Sequence, residues 1–404
     1  HTITRITSRA NKASSKIRAM SKFPFLSVPR AGTAWVLAAI VGSLAGCADA
    51  PVRDEPAPTR PSSTEPAKPQ ALSTSTILQA SSRWVPVPWS ALPGLETDAL
   101  HEAWPAWLQS CSRPSKAWAT LCPEIRQLAN APVQAQRHWI RQSLQAYRVE
   151  SHDEQAEGLL TAYYEPVLNA SRQARPDFNV PLFAPPADLN KRKPWYTRQE
   201  IESQPQVRAA LRGKELVYLS DPVDAMVLQI QGSGLLNVTE PNGRLRSVRL
   251  AFAGTNEQPY QSIGRWLLDK GLVKDASWPG IKAWITRNPS RVSELLWQNP
   301  RVVFFKEEAL PAGPLPGPKG AQGVPLTAGR SIAVDRASIP YGTPVWLQSK
   351  GPQTSLDRLV LAQDTGTAIV GAVRADYYAG SGDAAGDLAG RMKQSLKLWV
   401  LWPK

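Results

Sequence analysis

The sequence has few residues of the kinds that build metal centres: four His and three Cys in 404 positions. His101, His138 and His152 stand at no zinc-like spacing, and no ligand set surrounds the cysteines. Neither a metal nor another cofactor is therefore expected. Apolar runs are short as well. Thr33–Val41 falls well below the roughly 20 residues of a membrane-spanning helix, and its flanks are wrong for a stable span. No Lys/Arg-rich run is interleaved with aromatics, which argues against nucleic acid as a partner despite a formal net charge of +14. No segment repeats at a fixed period. The composition, 42% hydrophobic and 20% charged, is that of a folded protein, so the 15 Trp read mostly as core.

The charge is unevenly placed. Arg5, Arg9, Lys12, Lys16, Arg18, Lys22 and Arg30 supply half of the net charge, and no acidic residue precedes position 47. This basic block, the apolar run and then small residues follow the order of an export signal, residues 1–46. Leu44-Ala45-Gly46-Cys47 resembles the bacterial lipobox, so Cys47 is the expected lipidation site. Ala48, rather than Asp, follows it, which favours the periplasmic face of the outer membrane. Residues 47–83 are Pro/Ser/Glu-rich at first and read as a semi-extended tether. In an oxidising periplasm Cys111 and Cys122 are expected to pair, in preference to two buried thiols.

From Trp84 the pattern is globular. Thr97-Asp98 reads as a helix start with a capping side chain, and 133–148 as a helix with Ile140, Leu144 and Tyr147 on one face. Gly158–Tyr164 reads as a strand. Ala225–Ile230 alternates and reads as a second strand, closed by a turn at Gly232-Ser233-Gly234. Helices are expected around Ile263–Leu267, ended by Gly271, and around Val292–Leu296, capped by Asn288-Pro289. Beyond a Pro/Gly loop at 309–323, the short strands Ser331–Val334, Pro344–Leu347, Leu359–Ala362 and Leu396–Trp402 suggest a small barrel.

That segment carries Asp335, Asp364 and Asp376. A lone Asp at a strand end is usually a turn cap. Here two of the three lie among Gly366, Gly371, Gly380 and Gly382, where the backbone admits a ligand closely. A carboxyl beside Tyr377 and Tyr378 can have a raised pKa and act as a general acid.

These aspartates, set in Gly-Val-Pro-Leu-Thr-Ala-Gly-Arg-Ser-Ile-Ala-Val-Asp and Ala-Gln-Asp-Thr-Gly, resemble the 3D domain of the membrane-bound lytic transglycosylase A (MltA) family. Further similar blocks follow in order across residues 84–404: Thr161–Pro166, Ser220–Gly234, Pro259–Arg265, Asn299–Lys306 and Ala389–Pro403. The resemblance implies a mainly β fold. A double-psi β-barrel, from 84–160 and 286–404 with the 3D domain at about 323–404, would be interrupted by a smaller β domain at 161–285. A groove would run between them. It implies cleavage of the β-1,4 bond between N-acetylmuramic acid and N-acetylglucosamine, with a 1,6-anhydro product. Asp376 maps to the catalytic acid/base and Asp364 to a carboxylate that tunes or orients it. Asp335 is the third, with a structural role favoured over contact with the glycan. Tyr163, Tyr164 and Glu165 read as groove wall. Gln231, Gly232 and Ser233 read equally as sugar-binding or as a self-satisfied turn. The implied partners are peptidoglycan glycan strands, the outer membrane through the lipid and, as candidates, other cell-wall enzymes. Ala162 and Thr367 stand where Gly is expected, Val370 where a basic residue is, and Gln229 where His is frequent.

Two other functions fit less of the pattern. A lysozyme-like hydrolase needs a second carboxylate, for which Asp364 is the candidate. A non-catalytic wall-binding module would not need all three aspartates.

Overall fold

The computed structural model describes residues 75–352 and 354–404. The expected export signal, Cys47 and most of the tether lie outside the described residues. No described helix is long and apolar enough to cross a membrane.

The fold is mainly β and holds two sheets. The nine-stranded sheet runs Ile77–Leu78, Arg83–Pro86, Leu144–Glu150, Lys393–Pro403, Pro344–Lys350, Ser355–Asp364, Ser331–Val334, Arg374–Ser381, Gly158–Glu165. Gly158–Glu165 also pairs with Lys393–Pro403, so the last six strands close into a barrel-like ring. Closure leaves those strands without an open edge. Alternation sorts their side chains between two cores. Val345 and Leu347 enter one with Ile332, Val360 and Leu398, while Trp346 joins Leu359 and Trp399 in the other. There the helices Trp104–Ser110, Cys122–Gln127 and Val133–Ser143 cover the barrel, Trp139 meeting Trp104 and Trp107 edge-on.

The six-stranded sheet runs Val303–Ala309, Leu245–Thr255, Ser233–Thr239, Val167–Ser171, Glu215–Leu219, Val180–Phe183. The expected insert boundaries, 161 and 285, both move. Thr161–Glu165 is barrel strand, and Val303–Ala309 is an edge of the inserted sheet.

Several local expectations change. Ala225–Ile230 is helical, within Pro222–Gln231. Asp221 accepts from the Val223 amide as N-cap, Pro222 takes the first turn, and Gly232 ends the helix at φ 83°. Ala225 and Leu228 pack on the six-stranded sheet while Met226 packs on the helices Ile263–Asp269 and Trp278–Arg287. Apolar contacts on both sides erase the one-sided period of a surface helix. Ser233-Gly234 opens a strand instead of completing a turn. The helix from 133 stops at Ser143, and Leu144 and Tyr147 are strand residues. Asp98 is no cap; both its oxygens accept from Arg330 Nη1 at 3.0 Å.

Cys111 and Cys122 are joined by a disulfide that links the first two of the covering helices. Replacing both by Ser should lower unfolding stability by about 3 kcal/mol through the freed loop. Denaturant titration of that variant against the parent checks it, and an unchanged midpoint would show that the bond is dispensable.

Candidate active site

Register decides where the aspartates meet. Ala333 pairs with Asp364 on one side and with Asp376 on the other, and Asp376 pairs in turn with Thr161. Residues in register point to the same face, so both carboxylates stand on one side of the wall, two strands apart. Two interstrand spacings make roughly 10 Å between their backbones. Asp376 is inside the strand Arg374–Ser381, which is not among the strands expected from the sequence.

Two adjoining cavities lie along this face, between barrel and inserted sheet. One, of about 520 Å³, is lined by Tyr163, Gln231, Ser233, Phe252 and Asp364 among others. The other, of about 220 Å³, is lined by Tyr260, Ile369, Arg374 and Asp376 among others. Gln229, Ile230, Arg301, Val303, Gly366 and Thr367 border both, so the two form one groove.

The surroundings of Asp376 favour its protonated form. Its Oδ1 accepts from the Thr161 hydroxyl at 2.7 Å. Arg374 Nη2 donates to the same Thr161 oxygen at 2.9 Å. A guanidinium can only donate, so the Thr161 hydrogen is committed to Asp376. Oδ2 has no hydrogen-bond partner among the described residues, and the acid's own proton therefore belongs there. Burial pushes the Asp376 carboxyl up to about 6; Thr161 and Arg374 pull the other way, and the Asp364 charge adds the least. Desolvation, the cause expected for a carboxyl beside Tyr377 and Tyr378, thus outweighs any tuning by Asp364.

Asp364 is differently placed. Oδ2 accepts from the Tyr163 hydroxyl at 2.8 Å and Oδ1 from the Ala321 amide at 2.9 Å. Gly320 permits that approach, since a Cβ there would stand 2.5 Å from the Gln363 carbonyl oxygen. Burial raises the Asp364 carboxyl while these donors hold it down.

Residues 159–306 match the MltA specific insert domain and residues 330–402 match the 3D domain. The chain is 35% identical over 273 residues to the membrane-bound lytic murein transglycosylase A of Vibrio cholerae, covering 64% of this chain and 69% of that protein. The lytic transglycosylase LtgG of Burkholderia pseudomallei is 44% identical, with a TM-score of 0.57, over 81% of this chain and 97% of that one. Escherichia coli MltA with bound chitohexaose is 27% identical, with a TM-score of 0.61, over 81% and 94%. The chain belongs to the membrane-bound lytic murein transglycosylase A family.

Within this member of the family, Tyr163, Gln231, Gly232 and Ser233 line the groove. Gln231 Oε1 is already occupied by the Tyr164 amide at 3.0 Å. Two residues expected in the groove wall, Glu165 and Tyr164, stand elsewhere, and Asp335 has the structural place favoured for it. Glu165 is fully buried and ion-paired with Arg249 at 2.7 Å. Tyr164 borders neither cavity and packs its ring against Gly386. Asp335 accepts from the amides of Ala337 and Gly371 at 2.8 and 2.9 Å, so it fixes turns. Thr161 and Arg374 had not been singled out, although residues two apart on a strand, such as Arg374 and Asp376, share a face.

The raised carboxyl has a cost in stability that can be measured. The folded-state pKa of about 6 lies above the ordinary 3.8, so ionising Asp376 destabilises the fold. That penalty is complete above about pH 6 and absent below about pH 3.8, where both states are protonated. Asp376→Asn should therefore raise Tm at pH 7.5 and leave it unchanged at pH 3.5. Equal Tm shifts at both pH values would contradict the burial argument.

Proposed function

We propose that the groove binds a peptidoglycan glycan strand and that Asp376 alone performs the acid and base steps of a lytic transglycosylase. Family membership makes the chain a lytic transglycosylase; the bond cut, the product and the assignment of Asp376 are the proposal. The observation that carries it is the contrast between the aspartates: Asp376 keeps one oxygen free and is held near pKa 6, while both Asp364 oxygens are taken by protein donors.

In this reading the Asp376 Oδ2 proton passes to the glycosidic oxygen between N-acetylmuramic acid and N-acetylglucosamine as the C1–O4 bond breaks. The carboxylate then takes the proton of the 6-hydroxyl of the same muramic acid, whose oxygen bonds to C1. Atoms balance without water, and the product carries a 1,6-anhydro ring. An internal nucleophile has an effective concentration as high as ~10⁵ M or more, so no second carboxylate is needed. A hydrolase would require a base for water, and both Asp364 oxygens already accept a hydrogen bond from the protein.

The parallel pairings of Ser331–Val334 with Ser355–Asp364, and of Gly158–Glu165 with Arg374–Ser381, support reading the six-strand ring as a double-psi barrel. Lipidation of Cys47 would place the enzyme on the periplasmic face of the outer membrane, in keeping with its membrane-bound relatives. Chitohexaose on Escherichia coli MltA supports a glycan as the groove's occupant.

Mass spectrometry of muropeptides released by the chain from residue 76 tests the chemistry: anhydro ends are expected, and reducing ends would mean hydrolysis. Asp376→Asn should cut release by about 10⁴-fold or more, because one group serves both steps. Asp364→Asn should be milder; a reversal of that order would exchange the two roles. For the anchor, Cys47→Ser should leave the protein uncleaved or soluble, and continued partitioning with outer membranes would defeat that assignment.

A further inference from the structure

Two arginines on the groove's inserted side have no acidic partner. Arg301 borders both cavities, and its Nη1 donates only to the Gln258 carbonyl at 3.0 Å. The acid that acts on it, Glu257, is paired with Lys193 at 2.9 Å. Behind it Arg198 is buried, donating to the carbonyls of Asn299 and Arg301 at 3.0 and 2.6 Å and to Gln229 Oε1 at 2.8 Å. All three partners are neutral. Burial lowers Arg198 to about 10, which leaves it a cation at neutral pH. Neither guanidinium has a carboxylate within ion-pair distance among the described residues. Lys306, on the strand Val303–Ala309 that follows Arg301, is different: it faces Glu308 at 3.4 Å.

A buried cation with only neutral partners is unfavourable by itself. Its charge rests on the Arg301 backbone carbonyl, and Arg301 borders both cavities. A neutral chitin-like sugar would make no use of it. Peptidoglycan differs from chitin in one respect relevant here: every second sugar bears a 3-O-lactyl arm that ends in a carboxylate, its own when bare or those of an attached peptide.

We propose that Arg301, backed by Arg198, is the subsite that binds a carboxylate carried on the lactyl arm of muramic acid. The inference rests on the groove binding peptidoglycan and adds the feature by which it would tell that polymer from an uncharged one. The subsite is specificity-determining and takes no part in proton transfer.

Binding can be read without turnover, in the full chain in detergent with Asp376→Asn as the parent. Three ligands are compared by calorimetry: a GlcNAc–MurNAc tetrasaccharide with free lactyl carboxylates, the same strand with peptides, and chitohexaose. Arg301→Gln should weaken the muramic acid ligands about tenfold more than chitohexaose, the scale of one charge-assisted hydrogen bond. A selective loss on the bare strand identifies the lactyl carboxylate, and one on the peptide-bearing strand alone identifies a peptide carboxylate. Arg301→Lys should restore part of the preference, and added salt should weaken the charged ligands for the parent more than for the Gln variant. An unchanged ratio between charged and neutral ligands, whether all three weaken or none does, overturns the subsite. A parent that binds none of the three overturns the glycan reading itself.

Discussion

Glu165 holds the two sheets together. It closes a barrel strand, has no exposed surface, and pairs with Arg249 of the inserted sheet at 2.7 Å. Ser381, at the end of the strand that carries Asp376, donates to its Oε2 at 3.1 Å. Arg249 also donates to the Pro316 carbonyl at 2.7 Å, and the loop from Pro316 leads to Ala321, whose amide holds Asp364. A buried pair of this kind adds little net stability over an apolar replacement, because both ions lose water. Removing one partner is another matter, at roughly 3–5 kcal/mol. Its value is geometric: one ion pair sets the relation of barrel to inserted sheet, and with it the groove between them.

That groove works by excluding water from a carboxyl while leaving one of its oxygens reachable. Four influences act on Asp376, and their order matters. Burial raises its proton affinity most, the Thr161 hydroxyl and the Arg374 guanidinium lower it, and Asp364, two strands away, raises it least. An Asp with the same donors on the surface would be ionised at neutral pH; burial alone would leave the proton free to sit on either oxygen. Together they give an acid that is partly protonated near pH 6 with its proton directed to Oδ2. The second carboxylate serves the wall, since its bonds to Tyr163 and Ala321 tie the barrel strand to the loop that lines the larger cavity.

Parts of this arrangement are legible in the sequence and others are not. Ser331–Val334 is recognisable because all four residues are buried and a turn follows. The strand Arg374–Ser381 alternates only at its start, where Arg374 and Asp376 border the groove while Ala375 and Tyr377 enter the core, and the stretch Tyr378–Ser381 obscures the period. Pro222–Gln231 is hidden for another reason, being apolar toward both neighbours. The aspartates are visible as residues, and the family resemblance orders them, but their separation depends on both pairing with Ala333, a long-range register that no local pattern encodes. Glu165 shows the same limit. Within Tyr-Tyr-Glu-Pro it reads as a groove residue, and only the arrival of Arg249, 84 positions later, makes it a buried tie.

The insertion point explains why the aspartates and the groove residues opposite them share one face while residing on different sheets. The inserted sheet leaves the barrel after Glu165, and the chain returns to it at Ser331. The strands that end and begin there flank Arg374–Ser381 on either side. Gly158–Glu165 is parallel to it and Ser331–Val334 antiparallel, so both connections emerge at the same end, near Tyr378 and Ser381. An insertion anchored on both sides of the strand that carries Asp376 is placed to cover that strand's face. Exchanging its surface residues, such as Phe252 or Arg301, can then alter what the groove admits without disturbing Thr161, Arg374 or the register that holds Asp376. The departures at Gln229 and Thr367 fall on that rim and leave the acid's own contacts intact.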